Sequence, residues 1–473
     1  MGVTALNSYY DNRASGDSAA LNERLKFYCE ECRSHLIVDE SQTVGKDIKK
    51  GLRNADGTGV IAGATMISNV HGYKMVDGVR VPDEGKLFYR GFDVNDLINN
   101  CVKEDRFGFE EVVWLLLFGY LPSERQLDHF TKMLEDVREL PYGFVEDMII
   151  KAPSPDIMNK LARSVLALYS YDDDVDNMSL ENIFRQSIEL IARISTIMVN
   201  AYQVKKRYYD HSSLFFHPPV KGLSIAENIL STMRIDRKFT HDEAKLLDIM
   251  MILHAEHGGG NNSTFTCRLV TSSGTDTYSA IAAAIGSLKG PRHGGANQKA
   301  ISMVDDIKAN VKDLKDDDEL RAYLKKILNK EAGDRSGLIY GIGHAVYTKS
   351  DPRAEIIKAN AIPLSKKMGY EDDMQLLLAI ERLAPGVIAG SGKRSTESLC
   401  ANFDLFSGIV YRMLDIPPEL YTPLFAVARM AGWCAHRIEE MTNYHRIMRP
   451  AYVTLGGEKE YIPVKDRVDI KRH

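Results

Sequence analysis

The residues able to do chemistry in this 473-residue chain gather in a few short segments that interrupt ordinary amphipathic helices. His254-Ala-Glu256-His257 runs into Gly258–Gly260, and Thr240 with Glu243 reads as a capping-box start upstream. That pattern predicts a helix whose last turn carries His254 and His257 on one face, where the dipole favours an imidazolium. A plain helix-ending histidine is the alternative; a zinc protease site would need His-Glu-x-x-His, which this is not. His293 sits in Gly290-Pro-Arg-His-Gly-Gly, close to a predicted helix start near Gly295, where the positive dipole end disfavours protonation. A neutral imidazole there is a donor suited to a developing enolate oxygen, although a turn histidine would leave the same trace.

Gly341-Ile-Gly343-His344-Ala345 offers backbone that a ligand can approach closely. Asp351 as N-cap and Pro352 at N1 then predict a helix with Arg353 in its first turn. A cation gains nothing from that dipole, so either a carboxylate ligand holds Arg353 or it lies exposed on a surface turn. Asp404, in Asn402-Phe403-Asp404-Leu405-Phe406, is a carboxylate among apolar neighbours: burial would raise its pKa, a helix start would lower it. The alternative is an N-cap aspartate. Arg429 is the one charged residue between Leu420 and Cys434, with no acidic residue a turn away. A buried guanidinium needs an anion, supplied by the fold or by a ligand. Together, histidines, a carboxylate and arginines suit carbon–carbon bond formation on a dianionic keto acid.

The elements that must position these groups read as mainly α. Segments such as EEVVWLLLFGYL, LENIFRQSIELIARISTIMVNAY and ELYTPLFAVARMAGWCAHRIEEM carry helical periodicity. A small β element is expected near residues 59–92, where GYKMVDGVRVPDEG reads as strands around an Asp-Gly turn. Sixty basic and 65 acidic residues give a net charge of −5, which argues against an electrostatic nucleic-acid binder. No apolar run is long enough for a membrane helix, and the N-terminal residues resemble neither a secretory nor a transit signal. The 6 cysteines suit a reducing cytoplasm, and Cys29 with Cys32 reads as an incidental CxxC rather than a redox or metal site. No metal site is expected.

The segments HAEHGGGNNSTFT, LKGPRHGGANQ, YGIGHAVYTKSDPRA, NFDLFSG and LFAVARMAGWCAHRIEE, in that order, resemble the citrate synthase family. The likeness extends from about Gly59 to Tyr452. It implies a two-domain, all-helical enzyme that condenses oxaloacetate with acetyl-CoA, hydrolyses citryl-CoA and needs no cofactor. Asp404 resembles the family's base, His293 the imidazole on the enol oxygen, and His344 the histidine that polarises the oxaloacetate carbonyl. His257, Arg353 and Arg429 look like the oxaloacetate-binding set. Arg449 is similar to an arginine given by the partner subunit, which implies a homodimer. Gly341, Gly343, Ala345, Lys349, Lys393 and Arg394 are the candidates for the CoA end.

By the same resemblance, residues 46–295 with 410–473 form a large domain and 296–409 a small mobile one. Residues 1–45 are an extension of unassigned role. A 2-methylcitrate synthase using propionyl-CoA would share the constellation, because Cys400-Ala401 and Arg292 depart from the usual pattern without touching the catalytic set. A non-catalytic dicarboxylate or acyl-CoA sensor would be expected to have lost one of the three catalytic groups, and all are present.

Overall fold

The Asp77-Gly78 pair makes the turn that the sequence predicts. Both residues adopt positive φ, 50° and 77°, as a two-residue hairpin turn demands. They join β1 (Ser68–Val76) to β2 (Val79–Tyr89), and a short β3 (Phe92–Asp93) completes an antiparallel three-stranded sheet. The register shifts between His71 and Tyr73, where one residue of β1 faces residues 83–85 of β2, so the bulge lies in β2. This computed structural model describes residues 25, 26, 28–30, 40–392, 399–444, 446–455 and 457–467.

Helices follow the sheet. In chain order they are α1 (Val94–Lys103), α2 (Phe109–Phe118), α3 (Glu124–Asp136), α4 (Ile157–Leu168) and the long α5 (Leu180–Tyr209). Next come α6 (Ile225–Met233), α7 (His241–His254), α8 (Asn262–Thr271), α9 (Thr277–Lys289), α10 (Ala296–Asn310) and α11 (Asp317–Leu328). The last are α12 (Pro352–Met368), α13 (Glu371–Gly390), α14 (Phe403–Met413) and α15 (Tyr421–Asn443). Their starts are chemically specified. Ser123, Ser224 and Thr240 form capping boxes with Gln126, Glu227 and Glu243, and Asp351 caps α12 with Pro352 at its first position.

Helix α15 is the axis of the core. Apolar almost all round, it is enclosed by α2, α5, α7, α8 and α9. Trp433, Met430 and Ala431 are fully buried, and so are Arg429, His436 and Arg437. Arg437 is satisfied within the fold, donating to Thr277 Oγ1, Thr271 Oγ1 and the Thr275 carbonyl. Arg429 is not.

Residues 62–448 form one compact unit; residues 1–61 with 449–473 form another. The lobe expected at 296–409 therefore lies in the same unit as 62–295. The smaller unit holds two short 3-10 turns, Glu40–Thr43 and Lys50–Leu52, and a third at Val464–Asp466. No described helix is long and apolar enough to cross a membrane.

Candidate active site

Four pieces of the large unit converge: the chain after α7, the turn before α10, the loop into α12, and the start of α14 against the middle of α15. His254 is the last residue of α7, with Ala255 as its C-cap. His257 therefore lies beyond the helix, not in its last turn, and the two histidines do not share a helical face. The helix stops before the glycines because Glu256 turns inward: its Oε1 accepts from the Gly258 amide at 2.6 Å. His254 stacks on Phe425 at 4.2 Å, meets Phe403 edge-on at 4.7 Å and contacts Tyr411 Oη through Nε2. His257 approaches the His344 ring at 5.3 Å and Tyr347 Oη at 3.3 Å. Burial, joined by the charges of nearby arginines, holds both imidazoles well below the usual histidine range.

His344 lies in a loop braced by the hairpin. Gly72 and Gly85 let the strands close on it; a Cβ at Gly72 would meet Val346 O at 2.6 Å, and one at Gly85 would strike Ser350 O. Thr348 Oγ1 donates to Gly72 O across the same seam. The amides of Val346 and Tyr347 both donate to His344 Nδ1 at 3.1 Å. An amide can only donate, so Nδ1 is the acceptor and the neutral ring carries its proton on Nε2.

His293 is fixed the opposite way round. The Ser263 amide, in the first turn of α8, donates to its Nε2 at 3.3 Å, leaving the proton on Nδ1. Burial, then the charge of Arg429, lowers its pKa to about 4. The sequence-based expectation of a neutral His293 invoked its own following helix, which does begin at Ala296. The hydrogen bond that sets the tautomer comes instead from a different helix, α8.

Arg353 does occupy the first turn of α12, and its anion is internal. Nε and Nη2 bind Asp351 at 3.0 and 2.8 Å, a buried bidentate pair, so no ligand is needed to explain its place. The same Asp351 accepts from the Phe403 amide at 3.1 Å, tying α12 to α14. Asn402, not Asp404, caps α14: its Oδ1 accepts from the Asp404 amide at 2.9 Å. The strand-like pairing of Ile342 with Ala401 sets this segment beside Gly341-Ile-Gly343. Asn402 Nδ2 donates to Gly343 O at 2.7 Å, and Gly341, at φ 83°, sits where a Cβ would come within 2.7 Å of Leu405 Cβ. Burial wins over the helix start at Asp404, raising its carboxyl from the ordinary 3.8 to about 6, against the lowering pull of Arg353.

Arg429 is an unsatisfied cation in the site. It is fully buried, its Nε donates to His254 O at 2.6 Å, and Nη1 and Nη2 have no hydrogen-bond partner. Phe425 lies 4.8 Å beneath the guanidinium. Burial lowers its pKa only to about 10, so it stays a cation. Two adjacent, desolvated N–H groups of this kind are a fork for a carboxylate.

Of the expected ligand-end residues, Ala345 and Lys349 are exposed on the loop that carries His344. Lys393 and Arg394 lie outside the described residues, as does Cys32, while Cys29 is an exposed free thiol. Arg449 is exposed and belongs to the other compact unit. Among the described residues no group of metal-ligating side chains is assembled.

Residues 54–451 match the family model described as citrate synthase, C-terminal domain. The chain belongs to the citrate synthase family. A citrate synthase of Synechocystis sp. is 32% identical over 412 residues, 87% of this chain and 93% of that protein. A 2-methylcitrate synthase 2 of Corynebacterium glutamicum is 30% identical over 432 residues, 90% of this chain and all of that one. The citrate synthase of Thermoplasma acidophilum, solved in a ternary complex with carboxymethyl coenzyme A and oxaloacetate, superposes with a TM-score of 0.73 at 28% identity, covering 89% of this chain. Like other family members, this chain is an enzyme of acyl transfer with carbon–carbon bond formation.

Sequence reasoning missed several residues of this cluster: Asp351 as the anion of Arg353, Tyr347, Ser263, and the buried pair Glu256 and His436. A signal for the last existed. His436 follows Arg429 by seven residues, two helical turns along one face of α15.

Proposed function

We propose that the enzyme condenses oxaloacetate with acetyl-CoA and hydrolyses citryl-CoA to citrate and free CoA. The observation that carries the substrate assignment is Arg429, a buried guanidinium with two unbonded nitrogens beside neutral imidazoles and a carboxyl poised near neutrality. Asp404 acts as the base. With a pKa of about 6 it is ionised at neutral pH yet basic enough to remove a proton from the acetyl methyl group. His293 donates its Nδ1 proton as a hydrogen bond to the developing enol oxygen, and its low pKa keeps it neutral. His344, with its proton on Nε2, polarises the keto oxygen of oxaloacetate and protonates it as the new carbon–carbon bond forms. Water then cleaves the thioester, and the CoA thiol leaves. The proton steps of the condensation are assigned to side chains, and in the hydrolysis water supplies the hydroxyl of the new carboxyl and the proton of the CoA thiol.

His257, Arg353 and Arg429 bind oxaloacetate; Arg449 completes that set from the partner of a homodimer. In the unit formed by residues 1–61 and 449–473, Tyr452, Val453, Tyr461, Ile462 and Val464 are exposed, apolar surface of the kind a partner covers. Gly341, Gly343, Ala345, Lys349, Lys393 and Arg394 serve the CoA end. Residues 296–409 move against the rest to exclude water from citryl-CoA. The described cysteines are free thiols, which suits a cytoplasmic enzyme.

The test is release of free thiol from acetyl-CoA, followed with a thiol reagent with and without oxaloacetate. Dependence on oxaloacetate is expected, and thiol release without it would sink the proposal. The similarity to a 2-methylcitrate synthase supports a second reading, propionyl-CoA as acyl donor. Comparing kcat/KM for the two thioesters separates them.

A further inference from the structure

Glu256 lies between the two histidines of the chain after α7 and takes no part in the steps above. It is fully buried. Its Oε1 accepts from the Gly258 amide at 2.6 Å, Ser68 Oγ at 3.0 Å and His436 Nε2 at 3.1 Å. The last of these has a fixed direction. Arg268 Nη1 donates to His436 Nδ1 at 2.9 Å, so His436 carries its ring proton on Nε2 and donates it to Glu256. Arg268 is in turn anchored by Glu439 at 2.7 Å, whose other oxygen accepts from the Met66 amide.

Glu256 Oε2, by contrast, has no hydrogen-bond partner. It lies over Gly432, where an added Cβ would strike it and the Ala255 carbonyl and would sit 3.4 Å from Arg429 Cδ. Gly432 thus keeps clear a space bordered on one side by the free carboxylate oxygen and on another by the Arg429 side chain. Glu256 and Arg429 are two buried, incompletely bonded, opposite charges held in one place by separate scaffolds.

We propose that Glu256 is a positioning residue that acts through Arg429, serving as its resident counter-ion and setting how tightly the site holds a dicarboxylate. It stabilises the guanidinium before substrate arrives and then repels the incoming carboxylate at close range. Donors on Oε1 draw charge away from Oε2, so Ser68 and His436 tune the strength of that competition. The consequence is a site whose hold on dianions is deliberately moderate, which favours release of a tricarboxylate product. This inference rests on Arg429 being an oxaloacetate ligand.

The experiment compares wild type, Glu256→Gln and Ser68→Ala in steady-state kinetics and in thermal unfolding with and without oxaloacetate. Glu256→Gln keeps the shape and the acceptor oxygen but loses the charge. It is expected to lower the KM for oxaloacetate about tenfold while kcat changes far less, since a buried charge at this range is weakly screened. Its substrate-free form is expected to melt earlier and to gain more from added oxaloacetate than wild type does. Ser68→Ala, which removes one donor from Oε1, is expected to raise that KM about threefold. A purely structural role would lower kcat and stability without tightening oxaloacetate binding. An unchanged or higher KM in Glu256→Gln overturns the inference, and should that variant fail to fold, an unchanged or lower KM in Ser68→Ala does so. Wild-type enzyme that neither binds nor consumes oxaloacetate would instead overturn the functional reading beneath it.

Discussion

At the scale of single residues, the site is defined by which protons are fixed and which are free to move. Backbone amides from different elements lock His344 and His293 in opposite tautomers, so each presents a neutral N–H donor. Asp404 is the group meant to titrate. With its carboxyl near 6, kcat/KM is expected to fall about tenfold per pH unit below that value in a pH–rate profile, with His293, near 4, adding nothing until far more acid conditions. Asp404→Asn is expected to cut condensation by about 10²–10⁴-fold with the KM for oxaloacetate little changed. The same variant gives a stability test. A folded pKa raised above its unfolded value means stability fully present below about 4 and lost as pH rises through 6. Removing the charge should therefore stabilise the protein above pH 7 by up to about 3 kcal/mol, and have no such effect near pH 3. Thermal unfolding of both proteins across that range reads it out.

At the scale of elements, the site depends on close approaches that glycine permits. Gly341, with positive φ and Leu405 pressed against it, sets the register between the 341–343 backbone and the segment that opens α14. Gly341→Ala should displace Asn402 and Asp404 together and lower kcat about 10²-fold, with stability reduced by about 1–3 kcal/mol. Equal kcat in the variant would separate that pairing from catalysis. This scale also shows what the sequence could and could not reveal. Asp351-Pro352 and the Thr240–Glu243 box were legible because capping is local chemistry, and the Asp-Gly hairpin because the turn residues specify it. The end of α7 was not. Its stop comes from Glu256 bending back to the Gly258 amide and reaching Ser68 and His436, contacts 188 and 180 residues apart in the chain. The partner of Arg353 was read as a cap only, since a side chain can serve both its helix and its neighbour. The hairpin was visible, but its task of bracing the His344 loop was not, because only Gly72 and Gly85 in three dimensions disclose it.

At the scale of the molecule, one largely buried helix, α15, carries Arg429 in the middle of the core, so a carboxylate bound there would become part of the fold's electrostatics. Arg449 is proposed to serve the site of a partner chain. Mixing two inactive variants tests that. In a hybrid of an Arg449→Ala chain with an Asp404→Asn chain, one of the two sites regains both groups. Random re-pairing should then restore about a quarter of wild-type activity, whereas sites built within one chain would restore none.

This constellation is proposed to join an acetyl carbon to oxaloacetate. The direct measurement is steady-state thiol release at saturating oxaloacetate, with acetyl-CoA and propionyl-CoA as alternative donors. Release that requires oxaloacetate, with the higher kcat/KM for acetyl-CoA, is the expected result. Thiol release independent of oxaloacetate, or a higher kcat/KM for propionyl-CoA, would contradict it.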